Sequence, residues 1–223
     1  MTRLRRRKYR RVLIDVDTQY DQFWHADGNV SELLGRIRRI AAWARKRRVL
    51  VISTALARRP PQNSILPNGD PILCIEGTSG QQKISYTLLP RRLTFGPENR
   101  LDLPRHLLSD AQQVIFEKRT EDPFSQPRAD RLLTEMRADE FIVFGMGTET
   151  AVKATVLGLL HRGKRVRVLV DAVDGGKERE VRMALRQMEA KGARLSTSDV
   201  LTGHSRLVGK CALRARSPVG DAS

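Results

Sequence analysis

The chain has 223 residues, with 41 Lys and Arg against 25 Asp and Glu for a formal net charge of +16. A hydrophobic content of 40% excludes a disordered polyelectrolyte, and the length suits one domain with a full core. No apolar run approaches the roughly 20 residues that cross a bilayer, so a membrane-spanning helix is excluded as well. After the basic start, Thr2 to Arg11, the only apolar run before Asp15 is Val12-Leu13-Ile14. A signal peptide needs a longer one, so a cytoplasmic protein is expected. Two cysteines, Cys74 and Cys211, and four scattered histidines form neither a disulfide framework nor a zinc pattern.

In chain order, Arg11-Val-Leu-Ile-Asp-Val-Asp17 is a β-branched run ending in acids and predicts a buried strand. From Ser31 to Arg47, Leu33, Leu34, Ile37, Ile40, Ala41 and Ala44 recur at helical spacing, with arginines on the other face. Val49–Ser53 predicts a second strand. Residues 55–111, rich in Pro and Gly, predict long loops with one short helix after Gly80. Alternation then resumes. Gln113–Lys118, Phe141–Gly145, Val166–Asp171 and Ala193–Thr197 predict strands, separated by helices over Ala129–Arg137, Thr150–Arg162 and Lys177–Lys191. Gly163 and Gly192 suit left-handed caps on the last two helices. Six strands alternating with helices imply a three-layer α/β/α sandwich around a mainly parallel sheet, Rossmann-like in topology. The predicted layout is a basic arm over 1–10, one α/β domain over 11–202 and a tail over 203–223.

The charge is uneven. Residues 1–48 hold fourteen Lys and Arg against five Asp and Glu, over half of the total surplus. Seven of the fourteen lie in Arg3–Arg11 and seven in Arg36–Arg48. One reading is a non-specific nucleic-acid-binding arm beside a basic helix. The other is a solvated surface, favoured by sparse aromatics and by the lack of a zinc-finger or RNA-recognition signature.

Doubly wound sheets collect chemistry beyond strand carboxyl ends. Here those ends carry Asp17 with Asp21, Ser53 and Thr54, Lys118, the turn Gly145–Ala151, and Asp171. An Asp and a Lys converging there would tune each other's proton affinity; the competing reading is a structural ion pair. The turn Gly145-Met-Gly-Thr-Glu-Thr-Ala151 reads G-x-G-x-x-A, the shape of a dinucleotide fingerprint. It follows the fourth predicted strand, whereas that fingerprint opens the first βαβ unit, so no cofactor is expected.

Four blocks together resemble the isochorismatase-like (cysteine hydrolase) superfamily. Val12–Phe23 is similar to its opening strand and D-x-Q-x-D-F, with one residue inserted before Phe23. Cys74-Ile-Glu-Gly-Thr-Ser-Gly80 is similar to its C-x-x-G-T-x-G loop. Glu117-Lys118 with Asp122-Pro-Phe124 matches its strand-end lysine and the loop after it. Gly145–Val152, then Gly163 and Val170-Asp171-Ala172, matches G-x-x-T-x-x-C-V … G … V-x-D-A, with Ala151 at the Cys position.

The resemblance implies Asp17 and Lys118 as catalytic residues, backbone amides around Met146, Gly147 and Thr150 as an oxyanion site, and Phe23 and Arg58 as substrate contacts. A homo-oligomer is expected. Ala151 brings no nucleophile, which removes covalent acyl-enzyme chemistry. Where nicotinamidases carry metal ligands after the second strand, Leu56 and Arg58 stand, so no metal is expected. The expectation is a hydrolase with a degenerate triad, acting on a small anionic substrate such as a vinyl ether through Asp17 as general acid. The alternative is a non-catalytic member that binds a ligand, a partner or nucleic acid.

Overall fold

The computed structural model of the chain describes residues 8–24, 29–60 and 72–203. The arm as far as Arg7, the tail from 204 onward, His25, His204 and Cys211 lie outside them. Among the described residues the elements run β1 (Lys8–Val16), α1 (Tyr20–Trp24), α2 (Val30–Arg47), β2 (Leu50–Leu56), β3 (Arg92–Phe95), α3 (Leu107–Asp110) and β4 (Gln113–Lys118). There follow α4 (Pro127–Glu135), β5 (Arg137–Met146), α5 (Lys153–His161), β6 (Val166–Asp174), α6 (Glu178–Ala190), β7 (Arg194–Ser196) and α7 (Ser198–Thr202). The strands form one sheet in the order β3-β4-β2-β1-β5-β6-β7, and every neighbouring pair is parallel.

Period-two alternation divides the core between the two faces of this sheet. Val12, Ile14 and Val16 of β1 join Ile52, Phe116 and Val143 beneath α4, α5 and α6. Leu13 joins Val51, Ile142 and Leu169 beneath α2 and α7. In α2 the predicted stripe, Leu33, Ile37, Ile40, Ala41 and Ala44, is the buried face. The Asn29 side chain caps its start, accepting from the Glu32 amide at 3.2 Å. Gly163 and Gly192 have the positive φ expected of them, 67° and 104°.

The structure has a seventh strand that the periodicity did not predict. β3 is a short edge strand, mostly exposed, so it carries no apolar run to reveal it. The helix expected after Gly80 is a single 3-10 turn, Ser85–Thr87. Strand β5 begins at Arg137, where a helix was expected still to be running. Its polar first residues pair with β1 through Lys8↔Arg137 and Tyr9↔Ala138. The predicted helix at Thr150 starts instead as a π-turn over Thr148–Val152, and α5 follows.

Chain direction across the sheet reverses at β1. Strands β2 to β4 build outward on one side and β5 to β7 on the other. The crevice at the carboxyl ends of β1 and β5 is therefore the topological switch point. Gly145 lets these two ends close on each other. Its φ is 134°, and a Cβ there would lie 2.0 Å from the Val16 carbonyl oxygen, a backbone atom that cannot give way. Gly145→Ala should cost about 2–4 kcal/mol, because the added methyl and the positive φ both force β5 from β1. Urea unfolding measures this; an unchanged midpoint would refute the close approach.

Candidate active site

Asp17, the residue after β1, has φ 47°, in the left-handed region that costs a non-glycine residue roughly 1–2 kcal/mol. By strand alternation its carboxylate would follow Leu13 and Asp15 to the α2 face. The left-handed turn brings it to the other face, that of Ile52 and Phe116. Lys118 closes β4 on the same face. Its Nζ donates to Asp17 Oδ2 at 2.6 Å and to the Thr120 carbonyl at 3.1 Å. Both side chains are almost wholly buried, at 0% and 2% exposure. The second carboxylate oxygen accepts from the Thr54 hydroxyl at 2.7 Å. Asp17 and Lys118, 101 residues apart in sequence, thus meet as expected.

Behind this pair lies a second one that the sequence reading missed. Asp15 faces the α2 side, where Lys83 Nζ sits 3.0 Å from its Oδ2. Thr18 and Ser53 hydroxyls donate to the same carboxylate at 2.8 and 2.9 Å, and Gln113 donates to Ser53 at 2.8 Å. Lys83 also donates to the Thr18 hydroxyl at 2.8 Å and to the Thr54 carbonyl at 3.1 Å. Thr54 therefore touches both ion pairs, through its hydroxyl and its carbonyl. A signal was present: Asp15 interrupts a fully apolar run, and a buried carboxylate requires a cation or several donors.

The rest of the opening motif is architectural. Gln19 bridges both sides of a loop junction, donating to the carbonyls of Leu56 (2.8 Å) and Gln81 (2.6 Å) and accepting from the Leu56 amide (2.8 Å). Asp21 accepts from the Cys74 amide at 2.7 Å. A Cβ on Gly80 would overlap the Asp21 carboxylate at 1.8 Å, which is why the C-x-x-G-T-x-G loop needs a glycine there. Cys74 is fully buried with φ 58°. Burial, aided by the nearby Asp17 and Asp21 carboxylates, pushes its thiol up to about 12. It is a neutral packing group at neutral pH.

The turn after β5 carries Ala151, which is 3% exposed and packs in the apolar cluster with Val152 and Val156. The amides of Thr150 and Val152 both donate to the Gly147 carbonyl, at 3.1 and 2.9 Å. The Thr150 amide is thus engaged within the turn, and Met146 is the buried last residue of β5. The Thr148 hydroxyl, on a side chain with no exposure, has no hydrogen-bond partner among the described residues, a feature that the sequence did not signal. Glu149 ties the turn to the loop after β6 by accepting from the Gly176 amide at 3.0 Å.

Other residues singled out in the sequence lie elsewhere. Phe23, expected against substrate, is 5% exposed and packs with Leu33 and Ile37, anchoring α1 to the α2-side core. Arg58 forms an ion pair with Glu121 at 2.6 Å, and Arg119 pairs with Glu76 at 2.6 Å. These pairs brace the loops around the strand ends. Asp171 was expected at a strand end, but β6 continues to Asp174. Its carboxylate accepts from the Ser198 amide and hydroxyl, both at 2.7 Å, fixing the start of α7. Leu56 is buried and Arg58 is a cation, so neither offers a donor to a metal. Among the described residues no three His, Cys, Asp or Glu side chains gather to hold one.

Comparison with known proteins identifies the domain and its fold. The isochorismatase domain matches residues 11–200. No curated protein matches the sequence. Solved structures of the same fold include an isochorismatase-like hydrolase from Alkaliphilus metalliredigens, 18% identical with TM-score 0.64 over 87% of this chain and 98% of that one. Pyrazinamidase of Pyrococcus horikoshii, determined in complex with zinc, is 22% identical with TM-score 0.62 over 84% and 99%. The MAR1 ribonuclease of Caenorhabditis elegans is 21% identical with TM-score 0.59 over 90% and 82%. At these identities the likeness is one of fold.

Two outcomes follow from the buried groups. Lys83→Met leaves the Asp15 carboxylate buried without its cation and should cost about 3–5 kcal/mol, whereas Asp15→Asn with Lys83→Met should cost clearly less. Equal losses in denaturant unfolding would refute the pairing. Cys74 in the folded protein should react with iodoacetamide at pH 8 at least about 100-fold more slowly than in the urea-unfolded chain. Peptide mapping separates it from Cys211; comparable rates would contradict its burial.

Proposed function

Because the chain belongs to the isochorismatase family, with residues 11–200 spanning the domain, we propose that it is a hydrolase of a small anionic substrate that works without a covalent intermediate. The observation that carries this reading is the buried Asp17–Lys118 pair, 2.6 Å apart at the switch point of the sheet. Ala151 occupies the position where thiol-dependent members of the resemblance carry their nucleophile, and a methyl group cannot attack a carbonyl. Cys74 does not replace it, since its thiol is held neutral by burial.

General acid chemistry needs no nucleophile from the protein. The Asp17–Lys118 pair holds one transferable proton, which passes from the Lys118 ammonium to Asp17 and from Asp17 to the terminal carbon of a vinyl ether, leaving an oxocarbenium ion. Water adds to that cation and returns a proton to the Asp17 carboxylate, and the resulting hemiketal collapses to an alcohol and a carbonyl product. Lys118 and the Thr54 hydroxyl hold the carboxylate that exists between the two transfers, at 2.6 and 2.7 Å. The left-handed backbone at Asp17 is strain retained where it aims a reacting group. Arg58 would exchange Glu121 for an acidic group of the substrate, assisted by the positive net charge.

The test is a hydrolysis screen over vinyl ethers, amides and esters with anionic substituents. Vinyl ether hydrolysis should fall by about 10²–10⁴ in Asp17→Asn, with circular dichroism confirming that the variant folds. Activity that survives this substitution would refute the mechanism. A folded protein inert toward every class would favour the non-catalytic alternative, in which the same site binds a ligand without turning it over.

A further inference from the structure

The amino-terminal edge of the sheet, opposite the Asp17 site, is a cleft lined by arginines. It has a volume of about 670 Å³, and its walls include Arg10, Arg11, Arg47, Arg48, Arg91 and Trp43, with no carboxylate lining it among the described residues. A second cleft of about 430 Å³ shares Arg10 and Arg11 and continues past β1 to Lys164, Arg165 and Arg194. Arg10, Arg47, Arg48 and Arg91 are exposed. The carboxylates of the second cleft are already engaged: Asp139 with Lys8 at 2.6 Å and Glu140 with Arg167 at 2.8 Å.

Several arginines elsewhere on the molecule are neutralised. Arg58, Arg119, Arg128, Arg162 and Arg167 each hold a carboxylate. Among the described residues, no ion pair engages Arg11, Arg47, Arg48 or Arg91. Helix-dipole compensation accounts for cations at the end of α2, where Arg47 and Arg48 lie. It does not account for Arg10 and Arg11 on a strand, or for Arg91 just before one. Arg48 also holds a left-handed cap position, φ 52°, that glycine ordinarily takes. Such a collection of unpaired guanidinium groups repels itself, and a polyanion would supply the countercharge.

We propose that this edge binds single-stranded nucleic acid by its phosphates. Seven strands at a spacing of about 4.8 Å make an edge roughly 29 Å long, room for the backbone of a short oligonucleotide. The arginines lie within concave clefts that a flexible strand can enter and a flat lipid surface cannot. The half-buried indole of Trp43 in the larger cleft offers a stacking face that only an unpaired base can use. Recognition of this kind reads phosphate and not sequence. It is independent of whether Asp17 is catalytic.

Fluorescence anisotropy of the full chain with labelled oligouridylate, its deoxy counterpart, a duplex and anionic vesicles tests this. The variant Arg47→Gln/Arg48→Gln/Arg91→Gln should bind single strands at least about ten-fold more weakly, with the slope of log affinity against log salt reduced by about 2. A control that removes the same charge from α6, Arg179→Gln/Arg182→Gln/Arg186→Gln, should bind within about two-fold of the parent. Equal weakening by both variants would overturn the proposal, since net charge alone would then explain binding. So would tighter binding to duplex or vesicles, no binding at low salt, or binding that needs only residues 2–7. Comparable binding of the RNA and DNA strands is the expected result, because the contacts are to phosphate.

Discussion

Two buried lysine–aspartate pairs on opposite faces of one strand end, joined through Thr54, organise this molecule. Burying four charges is costly, and each pair persists only because hydroxyls and carbonyls complete its shell. Asp17 takes Lys118 and the Thr54 hydroxyl; Asp15 takes Lys83 with the Thr18 and Ser53 hydroxyls. These requirements fix where β1, β2, β4 and the segment around Lys83 must sit. The positions of the carboxyl strand ends follow from electrostatics as much as from apolar packing.

That arrangement gives the two ends of the sheet different chemistry. At the carboxyl end, charges are paired, buried and few, which suits proton transfer to a small molecule shielded from water. At the amino end, Arg11, Arg47, Arg48 and Arg91 have no ion-pair partner among the described residues, which suits a long flexible polyanion. The 41 lysines and arginines therefore divide by role. Some balance carboxylates within the fold, and part of the surplus of +16 gathers along one edge. Arg10 and Arg11 reach that edge through the start of β1, Arg47 and Arg48 through the end of α2, and Arg91, Lys164, Arg165 and Arg194 join them from distant parts of the chain.

Much of the fold was legible because local patterns were strong. The apolar runs of β1, β2, β4 and β5 and the stripe of α2 each declare their element by period alone. Strand β3 and the first residues of β5 were not legible, since their stability comes from neighbouring strands and not from side-chain burial. Asp17 and Lys118 were readable as strand-end residues. Lys83 was not, because it lies in irregular structure and its meaning depends on Asp15 across the sheet. Phe23 was expected against substrate from its motif position, whereas its side chain packs in the core, a placement that the motif does not encode.

The sequence by itself determined the alternation of strands and helices, the apolar faces and the residues available for chemistry, including the lack of a thiol at position 151. Those properties follow from local spacing and side-chain type. Only the tertiary structure decided which carboxylate met which lysine, that Asp17 turns against the alternation of its own strand, and that scattered arginines share one edge. Each of these joins residues far apart in the chain, and such contacts are set by strand order and register, which local periodicity does not encode.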